Sequence, residues 1–169
     1  PGVIRSAIIN DIGPEIVPAG LERIKNYVGK VSAKASWQEA CEAVKATLHD
    51  VYPDYDDARW MKFTRQVYTE KDGGIILDYD PAIALPFQGN TQEAAPELWP
   101  VFEPMKQVPL LIVRGALSDI LSAETLDKMA SVHPRFSSVT ISNVGHAPLL
   151  DEPDCQAAFE AFAKENYGL

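Results

Sequence analysis

An α/β fold, built from parallel strands joined by right-handed crossovers, is the expectation raised by three features of this 169-residue sequence. Apolar runs at Ala7 to Ile9 and Val108 to Val113, with a third at Val139 to Val144, suit strands of a parallel sheet; Ala7 to Ile9 lacks the alternation of a half-exposed strand, as expected when both faces are covered. Segments with apolar residues at helical spacing lie between the runs. The resulting order is strand, helical insertion, strand, helix, strand, helix, the pattern of an α/β chain.

The elements follow in order. Pro1 to Arg5 reads as the tail of a connection into the strand Ala7 to Ile9. Residues 18–28 form a helix: Pro18 suits its first turn, Leu21, Ile24 and Val28 make one stripe, and Gly29 ends it. Ser36 and Glu39 make a capping box for a second helix that carries Trp37, Ala40, Cys41, Val44 and Leu48 up to His49. Asp56 and Asp57 cap a third through Trp60, Met61 and Phe63. Val67 to Asp80 reads as a hairpin turning at Asp72-Gly73 or Gly73-Gly74. Residues 81–96, with Pro81, Pro86, Gly89 and Asn90, read as loop, and a short helical piece around Leu98, Trp99, Phe102 and Met105 leads into the strand at Val108. Ser122 caps a helix closed by His133-Pro134. The strand 139–144 comes next, and Pro153 opens a last helix with Cys155, Ala158, Phe159 and Phe162 on one face.

The net charge of −9 and pI near 4.7 argue against nucleic acid or an anionic membrane as partner, because both would repel the chain. No apolar run approaches the roughly 20 residues of a membrane span, so a soluble protein is expected. Cys41 and Cys155 both fall at apolar helical positions and read as buried thiols, which favours the cytoplasm. The histidines are far apart and there is no Cys-x-x-Cys, so neither a metal nor another cofactor is expected.

Chemistry concentrates at two strand ends. The run Val108 to Val113 leads through Arg114-Gly115-Ala116-Leu117-Ser118 to Asp119, and the later run delivers Gly145-His146-Ala147-Pro148. Strand then Asp, strand then His, is the second half of a catalytic triad. An imidazole titrates at about pH 6.5 and so can accept and return a proton at neutral pH, which makes His146 the candidate base. Asp119 is the candidate acid, which would fix the imidazole tautomer; its plainer reading is a helix cap with Ser118. His49 at a helix end and His133 before a proline read as structural. The first half of a triad would be a Gly-x-Ser-x-Gly turn, earlier in the chain than its acid and base. None of the nine serines has glycines at both flanking positions, and neither cysteine does.

Asn10-Asp11-Ile12-Gly13-Pro14 after a strand, then Arg114 to Asp119, then Gly145 to Pro148 with Asp151-Glu152-Pro153, together resemble the C-terminal half of an α/β-hydrolase across essentially the whole chain. The resemblance implies a partial α/β-hydrolase fold holding the last three parallel strands, the sixth to eighth of the family. Core residues would be 1–16 and 97–169, with a mainly helical cap at 17–96. It places the nucleophile before Pro1. It also makes Asp11 a competing acid, since some relatives carry theirs after the sixth strand, although a structural or site-lining role is the first expectation for it. Trp37, Trp60, Tyr79, Phe87 and Leu150 are candidates for lining an apolar substrate pocket, with ordinary core packing as the alternative.

The function implied is a serine-type hydrolase acting on a small-molecule ester or related carbonyl, with this chain inactive alone. A non-catalytic binding module, or one half of a nicked two-piece enzyme, is the alternative. Either way the first strand would expose an edge, so association with the missing N-terminal half or a second copy is expected.

Overall fold

In the computed structural model, which describes residues 3–30, 32–87 and 97–168, the chain divides into two compact units. Pro1–Leu21 and Ala94–Leu169 form one, and Glu22–Glu93 the other. The boundary falls a few residues later than position 16 because the first turn of α1 (Pro18–Lys25) is tied to the larger unit. Val17 N–H donates to Ile120 O at 3.0 Å, and Gly20 lies so close to the Asp119 backbone that no Cβ fits between them.

The larger unit is a three-stranded parallel sheet, in the order β1 (Ala7–Asn10), β4 (Leu110–Gly115), β5 (Phe136–Ile141). Ala7 is in register with Leu110, and Leu110 in turn with Phe136. Every residue of β4 is buried, which is why its sequence is an unbroken apolar run apart from Arg114. Arg114 is tolerated because its Nε donates to Leu121 O at 2.9 Å. Leu110 and Ile112 join Phe102, Leu121, Leu126 and Met129 in the core on one face of the sheet, drawing in Trp99 and Phe136. The crossover helix α5 (Ala123–Val132) starts where expected, with Ser122 Oγ accepting from Thr125 N at 2.9 Å. Ile112→Ala is expected to destabilise this unit by about 2–5 kcal/mol, because Ile112 is wholly enclosed and its neighbours belong to a sheet that collapses poorly around a cavity. Urea unfolding followed by circular dichroism measures it.

Two strands differ from expectation. β5 starts at Phe136 and ends at Ile141, three residues before the run 139–144, because pairing with β4 fixes its register and Asn143, at φ 53°, turns the chain away. Phe136 packs on the core while Ser137 and Ser138 occupy the outer strand of the sheet, where polar residues are tolerated. β4 begins at Leu110 rather than Val108, since Val108 N–H is still held by Met105 O at the end of a 3₁₀ turn, Glu103–Gln107, that continues the short α4 (Trp99–Phe102). The C-terminal α6 (Pro153–Tyr167) packs on β5 and buries Cys155 and Phe162. Burial and the neighbouring Glu152 push the Cys155 thiol up to about 12, so this sulfur stays protonated. Cys41 is buried as well, and both cysteines are free thiols.

The smaller unit holds α2 (Trp37–Leu48), α3 (Asp57–Val67) and the antiparallel pair β2 (Tyr68–Lys71) and β3 (Gly74–Leu77). Ser36 Oγ accepts from Glu39 N and Asp56 Oδ1 from Arg59 N, the caps that the sequence announces. The hairpin turns at Asp72 and Gly73, both at positive φ as a two-residue turn of this hand requires. α1 is shorter than residues 18–28; beyond Lys25 single turns closed by Asn26, Tyr27 and Val28 carry the chain to Gly29 at φ 76°. Part of the expected loop at 81–96 is a 3₁₀ helix, Pro81–Phe87, started by Asp80 Oδ1 accepting from Ala82 N at 2.8 Å; Gly89 and Asn90 lie outside the described residues. No described helix is long and apolar enough to cross a membrane.

Candidate active site at the carboxyl ends of the strands

In a parallel sheet the loops leaving the carboxyl ends of adjacent strands converge, and ligand chemistry gathers there. Here those loops are Asp11 after β1, Gly115 to Leu121 after β4 and Val144 to Pro148 after β5. Asp11 is fully buried and stands at φ 54°, a left-handed conformation that Asp tolerates better than most residues. Its N–H is fixed to Val113 O at 2.8 Å. That turn swings the carboxylate across the top of β4, where Oδ1 accepts from Gly115 N at 2.9 Å and Oδ2 stands 3.0 Å from His146 Nδ1. Asp11 O lies 3.1 Å from the same nitrogen.

This geometry fixes the imidazole tautomer. The backbone carbonyl of Asp11 can only accept, as can its carboxylate, so the proton between them and the ring belongs to Nδ1. The neutral ring then carries its lone pair on Nε2. The imidazole is 24% exposed while the carboxylate is wholly enclosed, an arrangement in which the acid is insulated and the base can be reached from outside.

The loop bearing His146 is held on both flanks. Asn10 Nδ2 donates to Pro148 O at 2.9 Å, tying the far side of the loop to the end of β1. On the near side Leu117 N–H donates to Val144 O at 2.9 Å, and the carbonyls of Val144 and Gly145 sit where a Cβ on residue 115 would be. Further along, Glu152 Oε1 accepts from Leu149 N at 2.9 Å and Leu150 O from Gln156 Nε2 at 2.6 Å, which docks the loop on the start of α6.

The place at Nδ1 was assigned by sequence to Asp119; the structure puts Asp11 there. Asp119 lies half-buried in the loop after β4, in a turn where Ser118 Oγ accepts from Ile120 N at 3.2 Å and Leu121 N at 3.0 Å. Asp11 prevails at Nδ1 because β1 and β4 are neighbours and its left-handed turn folds the carboxylate back over β4. His133, as expected, is structural: Nε2 donates to Met105 O at 3.0 Å and Nδ1 accepts from Arg135 N at 3.2 Å, which uses both nitrogens of the neutral ring.

Each of the five candidate pocket residues has its own surroundings within its unit. Tyr79 lines a cavity of about 460 Å³ inside the smaller unit. Trp60 is fully buried among Tyr52, Tyr55 and Phe63 and is core, because α3 turns it into the aromatic cluster of its own unit. Trp37 lies under the Arg65 guanidinium, 4.5 Å from its ring centroid. Phe87 ends the 3₁₀ helix, half-buried, and Leu150 sits at φ 67° in the loop after His146. Asn10 and Gly115 did not stand out as site residues in the sequence. Their signal is position alone, the last residue of β1 and the last of β4. Among the described residues no cluster of three or more His, Cys, Asp or Glu could hold a metal ion.

No family model matches the sequence. It is similar to a solved α/β hydrolase from Novosphingobium aromaticivorans, with a TM-score of 0.86 and 42% identity, covering 95% of this chain and 57% of that one. Among curated proteins it is 32% identical over 158 residues to a 3-hydroxybutyrate-oligomer hydrolase of Cupriavidus necator, covering 89% of this chain and 53% of the relative. It is 27% identical over 147 residues to a 2-(acetamidomethylene)succinate hydrolase of Mesorhizobium japonicum, covering 86% and 50%. The chain thus spans about half the length of the curated relatives it matches.

Proposed function

Because the chain belongs to the α/β-hydrolase superfamily, we propose that it is the acid- and base-bearing half of a serine-type hydrolase acting on an ester or related carbonyl, with His146 as base and Asp11, in place of Asp119, as the acid that orients it. The observation that carries this reading is the 3.0 Å contact between Asp11 Oδ2 and His146 Nδ1. In the whole protein, Nε2 would take the proton of a serine hydroxyl as the oxygen attacks the carbonyl. The imidazolium so formed is stabilised by the buried carboxylate on its other side, and the same nitrogen then returns the proton to the leaving alcohol. The serine would come from the N-terminal half of the enzyme, as would the oxyanion-stabilising donors.

Similarity supports a substrate class. The name of the Cupriavidus necator relative points to a short oligoester of a hydroxy acid, and that of the Mesorhizobium japonicum relative to a small carboxylic acid. The partner expectation also enters here. Among the described residues β1 pairs only with β4 and stands at the end of the sheet, so its other edge suits pairing with the N-terminal half of the fold.

The test is hydrolysis of short-chain p-nitrophenyl esters by the full-length gene product and by this chain. The 169-residue chain should show no turnover above buffer. The full-length protein should turn over, and His146→Ala should lower its kcat by at least about a thousandfold. A full-length His146→Ala enzyme of unchanged rate, or turnover by the wild-type chain alone, would sink the reading.

A further inference from the structure

The 460 Å³ cavity of the smaller unit lies within the size range of small-molecule sites and is lined entirely by residues of that unit. Its walls are apolar: Val44 and Leu48 from α2, Phe63 and Val67 from α3, and Leu77 from β3. The charged residues of its lining have one sign. Lys30 and Lys34 both line it, and no aspartate or glutamate does. That is an uneven distribution in a chain with 24 acidic and 15 basic residues.

The two lysines also differ from the paired lysines of this protein. Lys25, Lys45, Lys106 and Lys128 each hold a carboxylate. Among the described residues no carboxylate pairs with Lys30 or Lys34, and Lys34 Nζ rests on Ser32 Oγ, 3.0 Å away, another residue of the lining. Two tyrosines add donors. Tyr79 Oη accepts from Gly29 N at 3.0 Å, so its own proton remains to be given. Tyr68 also lines the cavity, and burial, with Tyr79 beside it, pushes its hydroxyl up, so it stays protonated and donating.

An apolar chamber bordered by two cations that no described carboxylate holds, and by two phenol donors, is complementary to an anionic head on an apolar body. We infer that this cavity binds an alkyl carboxylate, its chain among Val44, Leu48, Phe63 and Leu77 and its carboxylate held by Lys30, Lys34 and the Tyr79 hydroxyl. Charge-assisted hydrogen bonds of ammonium to carboxylate supply the preference over neutral analogues, and the apolar walls supply the common affinity. This site is separate from the hydrolytic reading: a chain that binds the carboxylate but belongs to no active hydrolase would sustain this inference and defeat the other.

The experiment titrates the 169-residue chain with octanoate and with uncharged 1-octanol, using calorimetry and methyl NMR. Octanoate should bind saturably, at least tenfold tighter than octanol, and shift the methyl signals of Val44, Leu48, Val67 and Leu77. The double variant Lys30→Gln with Lys34→Gln should bring octanoate to within threefold of octanol and leave octanol binding unchanged. Equal affinity for the two ligands overturns the inference, and so do methyl shifts confined to other residues. Both of those readouts come from the wild-type chain and need no variant to fold.

Discussion

Asp11→Asn is expected to shift the tautomer of His146 toward a proton on Nε2 and, in the intact enzyme, to lower kcat by about ten-thousandfold, close to 5 kcal/mol of transition-state stabilisation. The direction follows from a single hydrogen bond. Gly115 N–H requires an acceptor at the position of Asp11 Oδ1. An asparagine has one carbonyl oxygen, and placing it there leaves the NH₂ group facing His146 Nδ1, where the carboxylate oxygen had been. The ring then meets a donor at Nδ1 in competition with the unchanged Asp11 carbonyl, 3.1 Å from the same nitrogen, so the tautomer with its proton on Nε2, which cannot take one from a serine, gains population. Nitrogen-15 shifts of the His146 ring in the 169-residue chain read this without any substrate: Nδ1 protonated in the wild type, a share of the proton moved to Nε2 in the variant. Asp119→Asn should leave both the ring shifts and the rate of the intact enzyme within about tenfold of wild type, the difference a group outside the tautomer-setting contact can make. The opposite pattern, with Asp119→Asn the damaging change, would return the acid to the loop after β4.

How legible the site was depends on which link of the chain fixed each residue. His146 was readable because a lone histidine between Gly145 and Pro148, directly after an apolar run, has few structural uses. The same local logic favours Asp119, which follows an apolar run as His146 does, while the pattern Asn10 to Pro14 suggests a structural or site-lining role for Asp11. What separates them is not local. Asp11 reaches His146 because β1 is parallel to and beside β4, and because its backbone enters the left-handed region, neither of which a pattern of apolar residues records. The helices of the smaller unit were legible from Ser36, Glu39 and Asp56, whose side chains act within one turn of themselves. β5 was misplaced by three residues for the converse reason, as its start is set by pairing with Leu110 rather than by its own composition. Trp60 illustrates the same limit: aromatic spacing on α3 names a buried face, and only packing against Tyr52, Tyr55 and Phe63 shows that this face meets its own unit's core.

Gly115→Ala is the second substitution with a large expected effect, and it acts on His146 without touching it. The glycine serves two contacts at once: its N–H fixes Asp11 Oδ1, and its missing side chain admits the carbonyls of Val144 and Gly145. Both obstructing atoms are backbone, so a methyl group cannot be accommodated by turning a side chain aside. Either the loop carrying His146 lifts from β4 or β4 shifts beneath it. The first outcome is cheaper, because β4 is paired on both edges and buried throughout, whereas the loop is held by a few bonds such as that from Asn10 to Pro148. Overpacking of this kind costs about 1–3 kcal/mol of stability. The catalytic loss should be larger, a hundredfold or more in kcat of the intact enzyme, because a displacement of about 1 Å suffices to misalign a base. Loss of the Asp11 to His146 contact would appear in the chain alone as a change in the nitrogen-15 shift of Nδ1, with far-ultraviolet circular dichroism retained. If Gly115→Ala lowers stability but leaves that shift and the rate intact, then β4 yields instead of the loop, and Gly115 serves the sheet and not the base.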